Sequence, residues 1–262
     1  MTPWLTLFEG SRAAIHLDVV AGTGLAAGAW TGAWVVRRTR PSAAEGAALA
    51  LGLALLLAVL NGPVHELSDR YLFSAHMAQH LVLTLVVIPL LLLAVPAWMI
   101  DACLRRPSLA RAAHAITRPV PALATYTVAL VGWHLPGAYG LALDVHAWHV
   151  AQHLTLLATA AVAWWPVLGR SARAPRLPHA AQILYLFAFG LPMTVVAAMI
   201  TGADHVLYPF YASAPRLFGL SPLVDQRLGG VLMWVPAAVV PLVAFTVVFF
   251  RWAAAEADAD PA

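Results

Sequence analysis

Seven stretches of this chain are each long enough, and free enough of charge, to cross a bilayer as an α-helix, which takes about 20 mostly apolar residues. They run over residues 15–36, 43–62, 74–100, 119–135, 146–166, 179–202 and 225–250. Charged residues make up 10% of the 262 positions and hydrophobic ones 61%, whereas a soluble domain carries about 25% charged residues. Too few charges remain to cover a water-facing globule. The pattern predicts an all-α, polytopic transmembrane bundle of seven helices, a single domain over residues 1–262, with the lipid bilayer as its surroundings and no nucleic-acid partner. Interior prolines (Pro89, Pro192, Pro236 and Pro241) are expected to kink their helices, as packed bundles permit.

Arginine placement gives the orientation. The chain has no lysine, so its basic pI near 9.4 comes from arginine alone. Eleven of the fifteen arginines follow the first, third, fifth and seventh runs, among them Arg37, Arg38, Arg40, Arg105, Arg106, Arg111, Arg118, Arg170, Arg173, Arg176 and Arg251. Arg12, Arg70, Arg216 and Arg227 fall at the opposite ends. Because cytoplasmic loops carry the excess of positive charge, the N-terminus is expected outside and the C-terminus inside. The first fourteen residues lack a basic segment followed by an apolar core, so no cleavable leader is expected there. The single cysteine, Cys103, rules out a disulfide framework, a Cys-x-x-Cys metal site and covalent c-type haem attachment.

Nine of the eleven histidines then fall at or near the outer ends, and only His114 and His179 fall inside. Four of the nine form a phrase used twice: His76-Met77-Ala78-Gln79-His80 and His149-Val150-Ala151-Gln152-His153. Each copy puts two imidazoles at i and i+4, on one face of a helix. The copies are 73 residues apart, as are Pro63 and Pro136, which suggests an internal repeat of two spans per unit. Two such helices entering the membrane from the same side can face each other and offer up to four imidazoles to one metal ion. Imidazole suits copper, zinc, iron and nickel, and the Met77 thioether would favour Cu(I). Gln79 and Gln152 are placed to steady the rings. Trp133-His134-Leu135-Pro136 brings His134 to the rim of the same site.

The plain alternative is a set of interfacial histidines and an aromatic belt that reach for water at helix ends. A b-type haem between the third and fifth runs also fits the residue types, with one imidazole from each helix. A metal or proton transporter is a further reading. Transporters usually carry ionisable groups deep in the membrane, and the middles of these runs hold almost none. Near the seventh run, Asp225 is expected to favour the N-terminus of its own helix, and Gly229-Gly230 to allow close helix approach. No pattern of an enzyme's catalytic residues stands out.

Taken together, these motifs resemble a known family. Phe73-Ser74-Ala75-His76-Met77-Ala78-Gln79-His80-Leu81, Trp133-His134-Leu135-Pro136 and Trp164-Trp165-Pro166-Val167-Leu168 carry the resemblance. So do Leu191-Pro192-Met193, Leu207-Tyr208-Pro209, and Leu220-Ser221-Pro222-Leu223 through Asp225-Gln226 to Gly229-Gly230 and Met233-Trp234. Over roughly residues 60–250 the chain is similar to the seven-span CtaG assembly factors of caa3-type cytochrome c oxidase. That resemblance implies a multi-pass protein of the bacterial cytoplasmic membrane that works on cytochrome c oxidase subunits. It also implies a part in maturing a haem–copper oxidase, with copper delivery as the step. The family's His-Met-x-Gln-His element maps onto His76–His80. Metal ligands are therefore expected among His76, His80, His149, His153, Met77 and His134, with copper as the cargo and haem as the alternative cofactor.

Overall fold

The computed structural model describes residues 15–259, so Arg12 and the expectation that residues 1–14 hold no cleavable leader lie outside the described residues. Among the described residues every regular element is a helix. In chain order these are α1 (Leu17–Arg37), α2 (Ala43–Val59), α3 (Gly62–Arg70), α4 (Phe73–Ala94), α5 (Ala97–Cys103) and α6 (Pro107–Ile116). Then come α7 (Pro119–His134), α8 (Pro136–Asp144), α9 (His146–Leu168), α10 (His179–Gly202), α11 (Pro209–Ser213) and α12 (Pro222–Ala259).

Among the described residues, four helices are long and apolar enough to cross a membrane: Leu17–Arg37, Phe73–Ala94, His179–Gly202 and Pro222–Asp258. Joined to α3, which is bent from it by 49°, α2 makes a fifth candidate. The 16 residues of α7 reach about 24 Å at 1.5 Å per residue. The 23-residue α9 is long enough, but His146, His149, Gln152 and His153 lower its hydropathy. Outward faces match a lipid setting. On α10, Leu184, Phe187, Leu191, Val195 and Met199 recur every three or four residues and are exposed, while Tyr185, Phe189, Met193 and Ala197 on the other face are buried. So much exposed aliphatic and aromatic surface belongs in a bilayer; the protein is a membrane protein.

The apolar run at 74–100 is not one helix. Pro96 forces Val95 into an extended conformation and starts α5 afresh, so α4 ends at Ala94. Pro89 leaves a different mark. Its ring supplies no N–H, and the turn before it widens into a π-helical segment, Leu83–Val87. A π-type bond from residue 89 would end on the carbonyl of Thr84, five residues back. That carbonyl instead accepts the indole N–H of Trp164 at 3.0 Å. Thus a side chain of α9 completes the hydrogen bonding of α4. Pro192, Pro236 and Pro241 remain inside continuous helices.

The repeat read from the histidines extends to whole elements. α2, α3 and α4 begin at residues 43, 62 and 73, and α7, α8 and α9 at 119, 136 and 146, so the starts differ by 76, 74 and 73 residues. Each unit is a long helix, a short helix opened by proline in its first turn, and a histidine-bearing helix. Pro63 and Pro136 are tolerated where the first N–H groups of a helix lack partners anyway. The turn into α3 uses Gly62 at φ +65°, a left-handed conformation open to glycine.

α12 packs most extensively against α10 and next against the first turns of α4. Gly230 lies against Thr201, whose backbone N would be 2.9 Å from a Cβ placed there, and Gly229 lies against the Phe73 ring. This is the close approach that small residues permit in bilayers. It brings Asp225, which is buried in the first turn of its own helix, to the start of α4 as well. One carboxylate oxygen accepts the Phe73 N–H at 2.7 Å, and the other accepts the Ser74 N–H at 3.2 Å and the Ser74 hydroxyl. An anion there satisfies two orphan donors and complements the helix dipole. Next to it, Gln226 ties down the chain before α11, accepting from Leu207 N–H at 2.7 Å and donating to the His205 carbonyl at 3.1 Å. Asp225→Ala should therefore lower stability by about 2–4 kcal/mol, and Asp225→Asn by distinctly less, since the amide keeps one acceptor. Denaturant or thermal unfolding of the purified protein in detergent checks both values.

Candidate metal centre

The histidine pairs sit one turn inside α4 and at the start of α9, so the Asp225 cap and the Trp164–Thr84 bond bracket them along the helices. Within each pair the i,i+4 spacing brings the ring nitrogens together. Nε2 of His76 is 2.9 Å from Nε2 of His80, and Nε2 of His149 is 2.7 Å from Nε2 of His153. Between helices the rings face each other, with centroids 5.0 Å apart for His80–His153, 5.6 Å for His76–His149 and 6.2 Å for His76–His153. All four are buried. One ligand nitrogen from each of His76, His80 and His153 lies within 4.8 Å of the others. Two imidazoles on one tetrahedral ion need nitrogens about 3.3 Å apart, given bonds of 2.0–2.1 Å. The pairs would open by only about half an ångström to admit one.

Hydrogen bonding orients one of the four rings. The Tyr211 hydroxyl donates to the Ser68 carbonyl at 2.7 Å, so its oxygen is left to accept from His76 Nδ1 at 3.2 Å. With its proton on Nδ1, His76 turns a bare Nε2 toward His80, the arrangement found when a metal-bound imidazole donates from its far nitrogen. Tyr139 packs on His76 with centroids 5.3 Å apart and reaches the Tyr211 hydroxyl at 3.4 Å. Other buried atoms have no hydrogen-bond partner: His80 Nδ1, His153 Nδ1, His134 Nε2 and both side-chain polar atoms of Gln152. Each unsatisfied buried group costs about 1–3 kcal/mol. Set around close-packed imidazoles, such atoms could be satisfied by a cation.

His134 closes one side. Its Nδ1–H donates to the Leu130 carbonyl at 2.7 Å, and its ring centroid is 6.5 Å from that of His80. Tyr208 fixes the end of α7 by donating to the His134 carbonyl at 2.9 Å. A cavity of about 10 Å³ lies beside His80 and His134, lined in addition by Met77, Met193 and Met233. It has room for a single atom and offers thioether walls, the soft lining that suits Cu(I).

Sequence reasoning placed His76, His80, His149, His153, His134 and Met77 in this region, and the fold brings them together. Gln79 does meet a histidine ring, that of His65 on α3 rather than one on its own helix. Its Nε2 lies 3.0 Å from His65 Nδ1 and also donates to the Val59 carbonyl, while its Oε1 accepts from Ser68 at 3.1 Å. The Gln152 side chain has no hydrogen-bond partner. Residues not anticipated as part of the site are Tyr139, Tyr211, Met193 and Met233. Tyr139 was within reach of sequence reasoning, three residues past Pro136 in the repeat. Nothing local marks Tyr211, which arrives from the short helix α11, 135 residues away.

Outside this pocket, His65 and Asp69 of α3 complete a second group. Asp69 lies beyond the apolar runs, and burial pushes its carboxyl up to about 7. At the opposite end of the bundle the chemistry is different: Arg170 pairs with Glu45 at 3.0 Å and Arg37 stacks over Trp98 at 4.5 Å.

No curated protein and no solved structure matches the chain. The sequence pattern of the family described as cytochrome c oxidase caa3 assembly factor (Caa3_CtaG) matches residues 29–255, which takes in every element from the second half of α1 to α12 and all the histidines of the pocket. On that match the chain belongs to the cytochrome c oxidase caa3 assembly factor family.

Proposed function

We propose that this assembly factor serves its oxidase by holding copper in the pocket between α4 and α9 and releasing it to an oxidase subunit. His76, His80 and His153 are the ligands, with His149 beside them and His134 and Met77 lining the inner wall. The observation that carries this reading is the convergence of two repeated imidazole pairs at one level, with the Nε2 atoms of each pair meeting and one ligand nitrogen each from His76, His80 and His153 within 4.8 Å of the others. Imidazole and thioether are together a copper set. Haem is the poorer reading, because rings with centroids 5.0–6.2 Å apart enclose an ion rather than a macrocycle.

In this reading α1, α2, α4, α7, α9, α10 and α12 all cross the bacterial cytoplasmic membrane. The N-terminus and the histidine pocket are outside and the arginine-rich end is inside, as the positive-inside rule implies. The pocket then faces the side on which an exported copper centre would be filled. A reporter fused after Ala262 should be active in the cytoplasm only; activity on the outer side would overturn the orientation and the reading with it.

The functional test is the double variant His76→Ala with His80→Ala, made in cells that depend on the oxidase. Removing two ligands should weaken copper retention by the purified protein at least about 100-fold. Oxidase activity should be lost while the variant still accumulates in the membrane. Excess copper in the medium should restore part of the activity, because mass action substitutes for a carrier and not for a scaffold. Normal oxidase activity in the double variant without added copper would rule the proposal out.

A further inference from the structure

We propose that His65, Asp69 and His149 form a second, outer metal site, which takes up a divalent ion and passes it to the inner site by exchange at His149; this rests on the copper reading of the inner pocket. The ligand atoms of these three residues lie within 4.8 Å of one another. Asp69 bridges the imidazoles: Oδ2 is 3.1 Å from His65 Nε2, and Oδ1 is 3.7 Å from His149 Nε2. Two borderline nitrogens and one carboxylate oxygen are a set for Cu(II) or Zn(II).

The two sites meet at one atom. Nε2 of His149 is 3.7 Å from Asp69 and 2.7 Å from His153 Nε2. The inner site holds three imidazoles of its own without it. An ion on His65 and Asp69 can therefore keep His149 as a ligand while His153 replaces the outer pair, so it is never without protein ligands during the transfer. No electron or proton donor is needed for this exchange.

The outer site also has a route from the surface. A cavity of about 400 Å³ between α1, α2 and α9 is lined by His16, His65, His146, His149 and His153 on its polar side. Exposed His146 stacks on His16 with centroids 6.0 Å apart, and His16 meets His65 edge-on at 4.5 Å. Imidazoles thus continue from the rim to the pocket in steps short enough for a coordinated ion.

The repeat isolates this site as an addition. Residues 73 positions after His65 and Asp69 are Ala138 and Ala142. The paired imidazoles recur in both units, whereas the carboxylate-containing set occurs in one.

The test is metal stoichiometry on the full chain, purified in detergent, stripped with chelator and titrated separately with Cu(II) and Zn(II). Wild type should bind about two ions per chain, and His65→Ala with Asp69→Asn about one. His76→Ala with His80→Ala should also bind about one. Asp69→Asn alone, which keeps the side chain's shape, should weaken the outer ion at least about tenfold and slow loading of the inner site. Its elution as a single species in gel filtration guards against misfolding. One ion in wild type, lost with His76 and His80 but kept without His65 and Asp69, would overturn the outer site and leave the inner reading standing. Two ions unaffected by His65→Ala with Asp69→Asn would also overturn it. No uptake by wild type would overturn both.

Discussion

The carboxylate of Asp225 is the interaction on which the arrangement of the site depends. A helix that starts inside a packed, apolar assembly exposes four N–H groups that neither lipid nor neighbouring aliphatic side chains can satisfy. At α4 two of those groups are met by a side chain from the other end of the chain. Everything the pocket needs from α4 lies within two turns of that cap: His76 and His80 as ligand candidates, Met77 against the methionine-lined cavity, and Gln79 reaching across to α3. Because Asp225 stands on a helix held to α10 through Gly230, the position of the histidines is fixed by the apolar packing of α10 against α12. The polar site is thus placed by contacts that are themselves almost wholly apolar.

Much of the fold was legible because bilayers demand a crude, strong signal. Long uncharged runs have few alternatives to helix, and the structure places a helix within every run the sequence marked. The details that escaped were set by single residues with local backbone effects. Pro96 splits the third run, and the short helices α3, α8 and α11 are too brief to announce themselves by hydropathy. The histidine pairs were legible for a separate reason: i,i+4 spacing is a property of one helix, and repetition of the phrase raised it above chance. Asp225 shows the limit. Its favourable place at a helix N-terminus was readable, but which helix it serves depends on packing between elements about 150 residues apart, which no local pattern encodes. Tyr211 and the methionines Met193 and Met233 belong to the same class.

The repeated unit explains how an apolar chain assembles such a polar centre. Each unit pairs its own two imidazoles through Nε2. Setting the two units face to face packs the rings of one pair on those of the other, and aromatic groups from the segment before α12 fill the remaining side. His65 and Asp69, with alanines at the equivalent positions of the second unit, show how one half of a duplicated frame can acquire chemistry that the other lacks.

The indole of Trp164 and the carbonyl of Thr84 join the two histidine helices one turn below His80. Below that level the two helices pack on each other, while above it the first turns of α4 pack chiefly on α12 and α3 rather than on α9, so a pivot there would widen the gap between the histidine pairs and leave the lower end in place. A gap that must grow by about half an ångström to admit an ion and shrink again on release is well matched to such a pivot. The missing N–H of Pro89 thereby becomes a fulcrum: the defect it makes in one helix is what anchors the other against it.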